Sequence, residues 1–146
     1  MKWFDERAAF RTWYVIAMID FLAAATIGVL LRSMYLVELP FIQFRPWLHG
    51  HAHTALLGWL FIGTAVILIH DGGQGRLSRR TSALLWIIQM AVLVMAISFP
   101  MQGYGALSIG ASLIHVLCSC ALLAMVWKAS AGWPVSGSRA LLRTAI

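Results

Sequence analysis

Charge is scarce in this chain. Only 11% of its 146 residues are Asp, Glu, Lys or Arg, and just five are acidic; a soluble domain carries about 25%. So few charges cannot cover a globule that is 61% hydrophobic with a mean hydropathy of +0.83, which excludes a water-soluble fold. Cysteine is nearly absent. Cys118 and Cys120 stand two apart inside an apolar run, so a disulfide framework is excluded and the redox compartment stays unread. No internal repeat or low-complexity tract occurs. The net charge of +6 is spread between apolar runs rather than gathered into one stripe, which argues against a nucleic-acid partner.

What the chain does have is four long apolar segments, at about 12–31, 46–69, 82–99 and 105–127. At about 20 residues per bilayer crossing, they predict an all-α integral membrane four-helix bundle, a single membrane domain over 1–146. Pro100 is expected to stop the third span, and 129–146 to form a mobile tail with a short surface helix over 139–146. Asp20 in the first apolar stretch favours a retained helix over a cleaved signal peptide, despite the basic flank and the Ala23–Ala25 run.

Four spans place the N-terminus, the second loop and the tail on one side. That side carries Lys2, Arg7, Arg11, Arg76, Arg79, Arg80, Lys128, Arg139 and Arg143, whereas the other has only Arg32 and Arg45. The positive-inside rule then puts both termini in the cytoplasm, consistent with a bacterial inner membrane. Trp13, Tyr14, Trp47, Tyr104 and Trp127 fall near span ends, as an aromatic belt does. The Ala24/Gly28 and Ala106/Gly110 pairs suit close helix packing.

Three of the five histidines cluster in Pro46-Trp47-Leu48-His49-Gly50-His51-Ala52-His53-Thr54, at the outer end of the second span. On a helix His49 and His53 share a face and His51 points the opposite way, so one helix offers ligands in two directions. His115 lies deep in the fourth span, where an ionisable residue marks a functional site by default; the plainer alternative is a neutral imidazole bonded to a neighbouring helix. By helical rise His53 sits roughly 10 Å past Pro46 and His115 roughly 15 Å past Gly105, compatible with facing positions. Two imidazoles from facing helices suit a six-coordinate haem iron, with Leu56, Trp59, Phe61, Leu113, Leu117 and Met125 available as apolar walls; lipid-facing or packing positions suit the same residues equally. Arg45 and Trp47 stand where haem propionates emerge, and guanidinium pairs well with carboxylate; a lipid-phosphate contact serves Arg45 equally.

Asp20, near mid-membrane, must be protonated, paired or wet. It either relays protons, hydrogen-bonds the free ring nitrogen of His115, or packs as a neutral acid against Gln89 or Ser112. His70-Asp71 and the following Gly72-Gly73-Gln74-Gly75 read as a helix stop and turn, with His70 about 25 Å from His53 by helical rise, too far to share a site. Cys118 and Cys120 point about 200° apart and cannot chelate one metal together. Met18, Met90, Met95 and Met125 show no copper-relay spacing.

The stretch from Arg45 to Trp59 resembles the second-helix motif of the haem–copper oxidase and nitric oxide reductase catalytic-subunit superfamily, closest to its cbb-type and nitric-oxide-reductase-like branches. It is also similar to a run in the NnrS haem and copper membrane proteins. The resemblance covers about 15 residues. It implies that one of His49, His51 or His53 is an axial ligand of haem b; the His53-Thr54 register fits the oxidase-like motif, and the His51-Ala52-His53 pair fits NnrS. The departure is as informative: four spans and five histidines leave no room for a binuclear centre, and no His–Tyr pair of the oxidase type stands in the sequence.

The expectation is a membrane haem b protein ligated by His53 and His115, carrying electrons or binding O2 or NO, rather than an enzyme in its own right; were it one, it would be an oxidoreductase acting with haem. Here His49 and His51 either bind a second metal such as copper, donate to propionates, or sit among headgroups. Two other readings stand beside it: a cofactor-free accessory subunit of a respiratory complex, and a copper- or zinc-binding membrane protein using the outer histidines. The partners implied are the bilayer, a second copy or a larger respiratory complex, and a quinol or cytochrome as redox partner.

Overall fold

The computed structural model describes residues 2–72, 77–133 and 137–145. Within them all regular structure is helical: α1 (Lys2–Ser33), α2 (Phe44–His53), a π-helical segment (Thr54–Leu60), α3 (Phe61–Gly72), α4 (Arg79–Gln102), α5 (Ala106–Ser130) and α6 (Gly137–Ala145). Because α2, the π-helical segment and α3 run on without a break, four stretches are long and apolar enough to cross a membrane: Ala9–Ser33, Phe44–Asp71, Arg79–Gln102 and Ala106–Ser130.

These stretches overrun the expected spans for identifiable reasons. The second begins at Phe44 behind Gln43, so Pro46 lies within the first turn, where a missing N–H costs nothing. The third begins behind Ser78, whose side chain accepts from the Thr81 amide at 3.1 Å. It also continues through Pro100, a correction to the expected stop. The Pro100 ring is accommodated by a notch on the neighbouring helix, since a β-carbon on Gly50 would lie 3.1 Å from its Cγ and Cδ. Gly103, at φ +63°, ends the helix instead, adopting a conformation that side chains resist. The short helix expected in the tail is present as α6. Helix α5 persists to Ser130, and α6 returns to the bundle with Leu142 against the core and Arg143 over the Trp127 ring at 4.3 Å. Arg76 and Gly73–Gly75, assigned to the second loop, lie outside the described residues.

The bundle follows chain order: α1 leans on the second span, the second span on α4, and α4 on α5, with α3 also reaching α5. At the end nearer the chain termini, Phe10 and Trp13 of α1 join Ile62, Val66, Leu85 and Leu122 in one apolar cluster. Toward the other end Val92, Met95, Phe99 and Ala111 form a second cluster. Phe10 meets the His70 ring edge-on at 4.8 Å, and Trp13 meets Trp86 at 4.9 Å, tying the start of α1 to the end of α3 and the start of α4. The described cations divide accordingly, with Arg11, Arg79, Arg80, Lys128, Arg139 and Arg143 at this end and Arg32 and Arg45 at the other.

The two small-residue pairs behave differently. Ala24 and Gly28 receive a neighbour: a β-carbon on Gly28 would lie 3.0 Å from His51 Cε1. A β-carbon on Gly110 would meet nothing within 4 Å, because Gly110 opens onto an apolar groove of ≈ 330 Å³ between α4 and α5. Gly28→Ala is therefore expected to destabilise the fold by about 1 kcal/mol or more through overpacking, and Gly110→Ala to be neutral or slightly stabilising through helix propensity. Denaturation of the two variants in mixed micelles checks the contrast.

Candidate functional site

The three clustered histidines occupy two faces of α2. His51 turns toward α1, where its Nδ1–H donates to the Ala24 carbonyl at 2.8 Å. His53 bends back along its own helix, and its Nδ1–H donates to the His49 carbonyl at 2.8 Å. A backbone carbonyl only accepts, so in both neutral rings the proton sits on Nδ1 and the lone pair on Nε2. A metal-binding histidine is commonly oriented by such a bond. The division into two faces is as the spacing predicts.

His49 and His53 gather around one aromatic platform on α4. Phe99 is only 1% exposed; the His53 ring lies over it at 4.4 Å and 33°, and His49 follows at 5.9 Å. Tyr104 closes the group, with its hydroxyl 3.2 Å from His49 Nδ1 and its ring 5.3 Å from Phe99. Folding thus creates a histidine–tyrosine contact between residues 55 positions apart, which no local pattern announces.

His115 is 1% exposed and fully engaged by protein groups. Its Nε2 faces the Leu57 carbonyl at 3.4 Å, and its Nδ1 lies 3.2 Å from the Ser119 hydroxyl. The carbonyl must accept, which assigns the ring proton to Nε2 and makes Ser119 the donor to Nδ1. Phe61 meets the ring edge-on at 5.4 Å. Leu57 lies one turn beyond His53, about 6 Å along the helix, so His115 sits about one turn deeper than His53, the order that helical rise predicts.

The π-helical segment that carries Leu57 follows directly on His53. Such segments are rare and frequent at functional sites. A turn of π-helix holds more residues than the 3.6 of an α-helix. This lets Gly50, Thr54, Gly58 and Ile62, all buried, keep one face at a spacing of four. Asp20 of α1 lies over Gly58: a β-carbon there would be 2.9 Å from Asp20 Oδ2 and 3.0 Å from Val92 Cγ1. Gln89 of α4 donates from Nε2 to Asp20 Oδ1 at 3.1 Å. Of the expected partners Asp20 therefore takes Gln89. Ser112 instead donates to Met95 Sδ at 3.1 Å, and His115 takes the carbonyl of Leu57.

Several expected members stand apart. Arg45 is exposed and Trp47 half-buried at the start of α2. Leu56, Leu113 and Leu117 are exposed outward, and Trp59 pairs with Phe21 at 4.7 Å, so these four wall no interior site. Met125 lines a groove of ≈ 240 Å³ at the far end of the bundle, with Ser78, Thr81 and Trp133. His51 lines a third groove of ≈ 210 Å³ with Gly28, Arg32, Tyr35 and Phe44. None of these three grooves is lined by His53 or His115. His70 pairs with Asp71 at 2.9 Å on the exposed end of α3, far from the cluster. No group of three or more His, Cys, Asp or Glu side chains among the described residues converges as a metal site. Cys118 is partly buried and Cys120 exposed, in keeping with their opposed directions.

The glycines were the one sequence signal for these contacts. Gly28, Gly50 and Gly58 each lie where another helix brings a side chain against the backbone. No family model, curated protein or solved structure matches this chain.

Proposed function

We propose that this chain is a membrane haem b-binding protein, serving electron transfer or the binding of a diatomic gas, O2 or NO, with His53 as an axial ligand. The observation that carries this is the His53 ring: half-buried, supported by Phe99 and held by the His49 carbonyl so that Nε2 presents its lone pair. The resemblance of the Arg45–Trp59 stretch points the same way. When bound, such a haem supplies a one-electron couple or a gas-binding iron.

His53 fits an iron as a single ligand, but His53 and His115 do not fit as a pair clasping one macrocycle. Phe99 occupies the contact surface of His53, and Leu57 O and Ser119 already take both nitrogens of His115. Any second ligand to such an iron would come from a second copy or a larger respiratory complex. His49, with Tyr104, shapes the outer approach to His53. Copper has weaker support, because His51 turns to the opposite face from His49 and His53. The charge distribution supports both termini in the cytoplasm of a bacterial inner membrane, with a quinol or cytochrome as redox partner. The reading as a cofactor-free accessory subunit draws on the open apolar groove at Gly110, a surface suited to another helix.

The test is the visible spectrum of detergent-purified protein, oxidised and dithionite-reduced. Haem is expected in the wild type, lost in His53→Ala and retained at full stoichiometry in His115→Ala. A colourless wild type from a haem-replete host would sink the proposal, and full retention in His53→Ala would remove its ligand.

A further inference from the structure

Asp20 and Gln89 meet in the middle of the bundle, away from the outer histidines. Asp20 is 3% exposed and Gln89 5%, both within helices apolar enough to cross a membrane. One hydrogen bond joins them, from Gln89 Nε2 to Asp20 Oδ1. Two oxygens of the pair, Asp20 Oδ2 and Gln89 Oε1, have no hydrogen-bond partner among the described residues. Buried polar atoms are rarely left so, because each orphan forfeits its solvation.

The chemistry of the two orphans decides what the pair holds. With Asp20 ionised, both are acceptors and neither can satisfy the other. With a proton on Oδ2, one becomes a donor beside an orphan acceptor on the residue to which Asp20 is already bonded. A small side-chain rotation then completes the two-bond ring of an acid and an amide. The surroundings supply no counter-charge. Along α1 the neighbours one turn away are Ile16, Ala17, Ala23 and Ala24; on the second span Asp20 faces Gly58, and on α4 Gln89 and Val92. The nearest titratable side chains on the packed elements are histidines held elsewhere: His51 at Ala24 O, His53 at His49 O, and His115 on the far side of the Leu57–Gly58 peptide. The described Lys and Arg side chains lie toward the helix ends. An isolated carboxylate in such a place is strongly disfavoured.

We propose that Asp20 and Gln89 form a proton-binding site within the bundle, in which Asp20 carries its proton on Oδ2 at neutral pH and Gln89 holds the acid by both its amide donor and its carbonyl. Gly58 is part of the site, since its bare α-carbon leaves room for the carboxyl. Release yields the Asp20 carboxylate and one proton to water, and uptake reverses this with no electron transferred. The site needs no cofactor, so its fate is separate from that of the haem reading.

Infrared difference spectroscopy of the purified full chain at neutral pH tests this. The expected result is a protonated-carboxyl stretch in the wild type that shifts in D2O and is absent from Asp20→Asn. It is retained in the double variant Asp5→Asn/Asp71→Asn, where Asp20 is the remaining aspartate. If Asp20→Asn does not fold, the double variant decides the question alone, with aspartate carboxyl labelled by 13C to separate the band from glutamate. Gln89→Leu is expected to move the stretch to the frequency of a carboxyl free of the amide. Absence of the band in the wild type and the double variant, or its survival in Asp20→Asn, overturns the proposal. An unmoved band in Gln89→Leu removes Gln89 from the site.

Discussion

Phe99→Ala is expected to destabilise the bundle by about 3 kcal/mol, the lower end of the range for emptying a buried phenylalanine. The lower end applies because helices separated in a micelle still shield an exposed Phe from water, which leaves the cavity and lost dispersion contacts as the main cost. The effect reaches beyond stability. Phe99 is the surface on which His53 lies and at which His49 and Tyr104 meet, so its loss frees three rings at once. Phe99→Leu refills most of the volume and should recover much of the stability without restoring the flat support. Reversible denaturation in mixed micelles measures the first effect, and the line widths of His53 ring resonances measure the second. A Phe99→Ala protein as stable as the wild type, with unchanged resonances, would contradict the packing described.

Gly58→Val should be at least as damaging, with a cost of about 3 kcal/mol and a largely unfolded or aggregated product on purification. Its β-carbon would be driven to 2.9 Å from Asp20 Oδ2 and 3.0 Å from Val92 Cγ1, and both neighbours are buried. A change of helix propensity alone runs the other way, since glycine is the poorer helix former. The sign of the effect therefore separates packing from propensity. Gly58→Ala is the graded case: a smaller loss is expected, measured in the same micelles, and a gain in stability would mean that Asp20 does not approach the π-helical segment closely.

How much of this was legible in the sequence depends on the range of the interaction. The four long apolar helices follow from composition and run length, since a bilayer demands both. The opposed directions of His51 and His53 follow from 3.6-residue periodicity. The error at Pro100 has a physical cause: proline ends a helix unless its ring finds space and its lost hydrogen bond falls near an end. The space is provided by Gly50, 50 residues earlier. The Asp20–Gln89 bond was among the alternatives that the sequence left open, whereas the Tyr104–His49 contact joins residues whose pairing only the bundle determines. Leu56, Leu113 and Leu117 turn outward, the alternative left open for them, because in a membrane-type helix the outward face is as apolar as the inward one.

The π-helical segment also makes the α2 histidines answerable to chain length. Were one residue of Thr54–Leu60 removed and the turn returned to α-helix, everything before it would rotate by about 100° relative to α3 and shift by about 1.5 Å. His51 would swing off Ala24, the Gly50 notch would leave Pro100, and His53 would lose Phe99, although no contacting side chain had been altered. The azimuth of the histidine cluster over the rest of the bundle is set by a residue count.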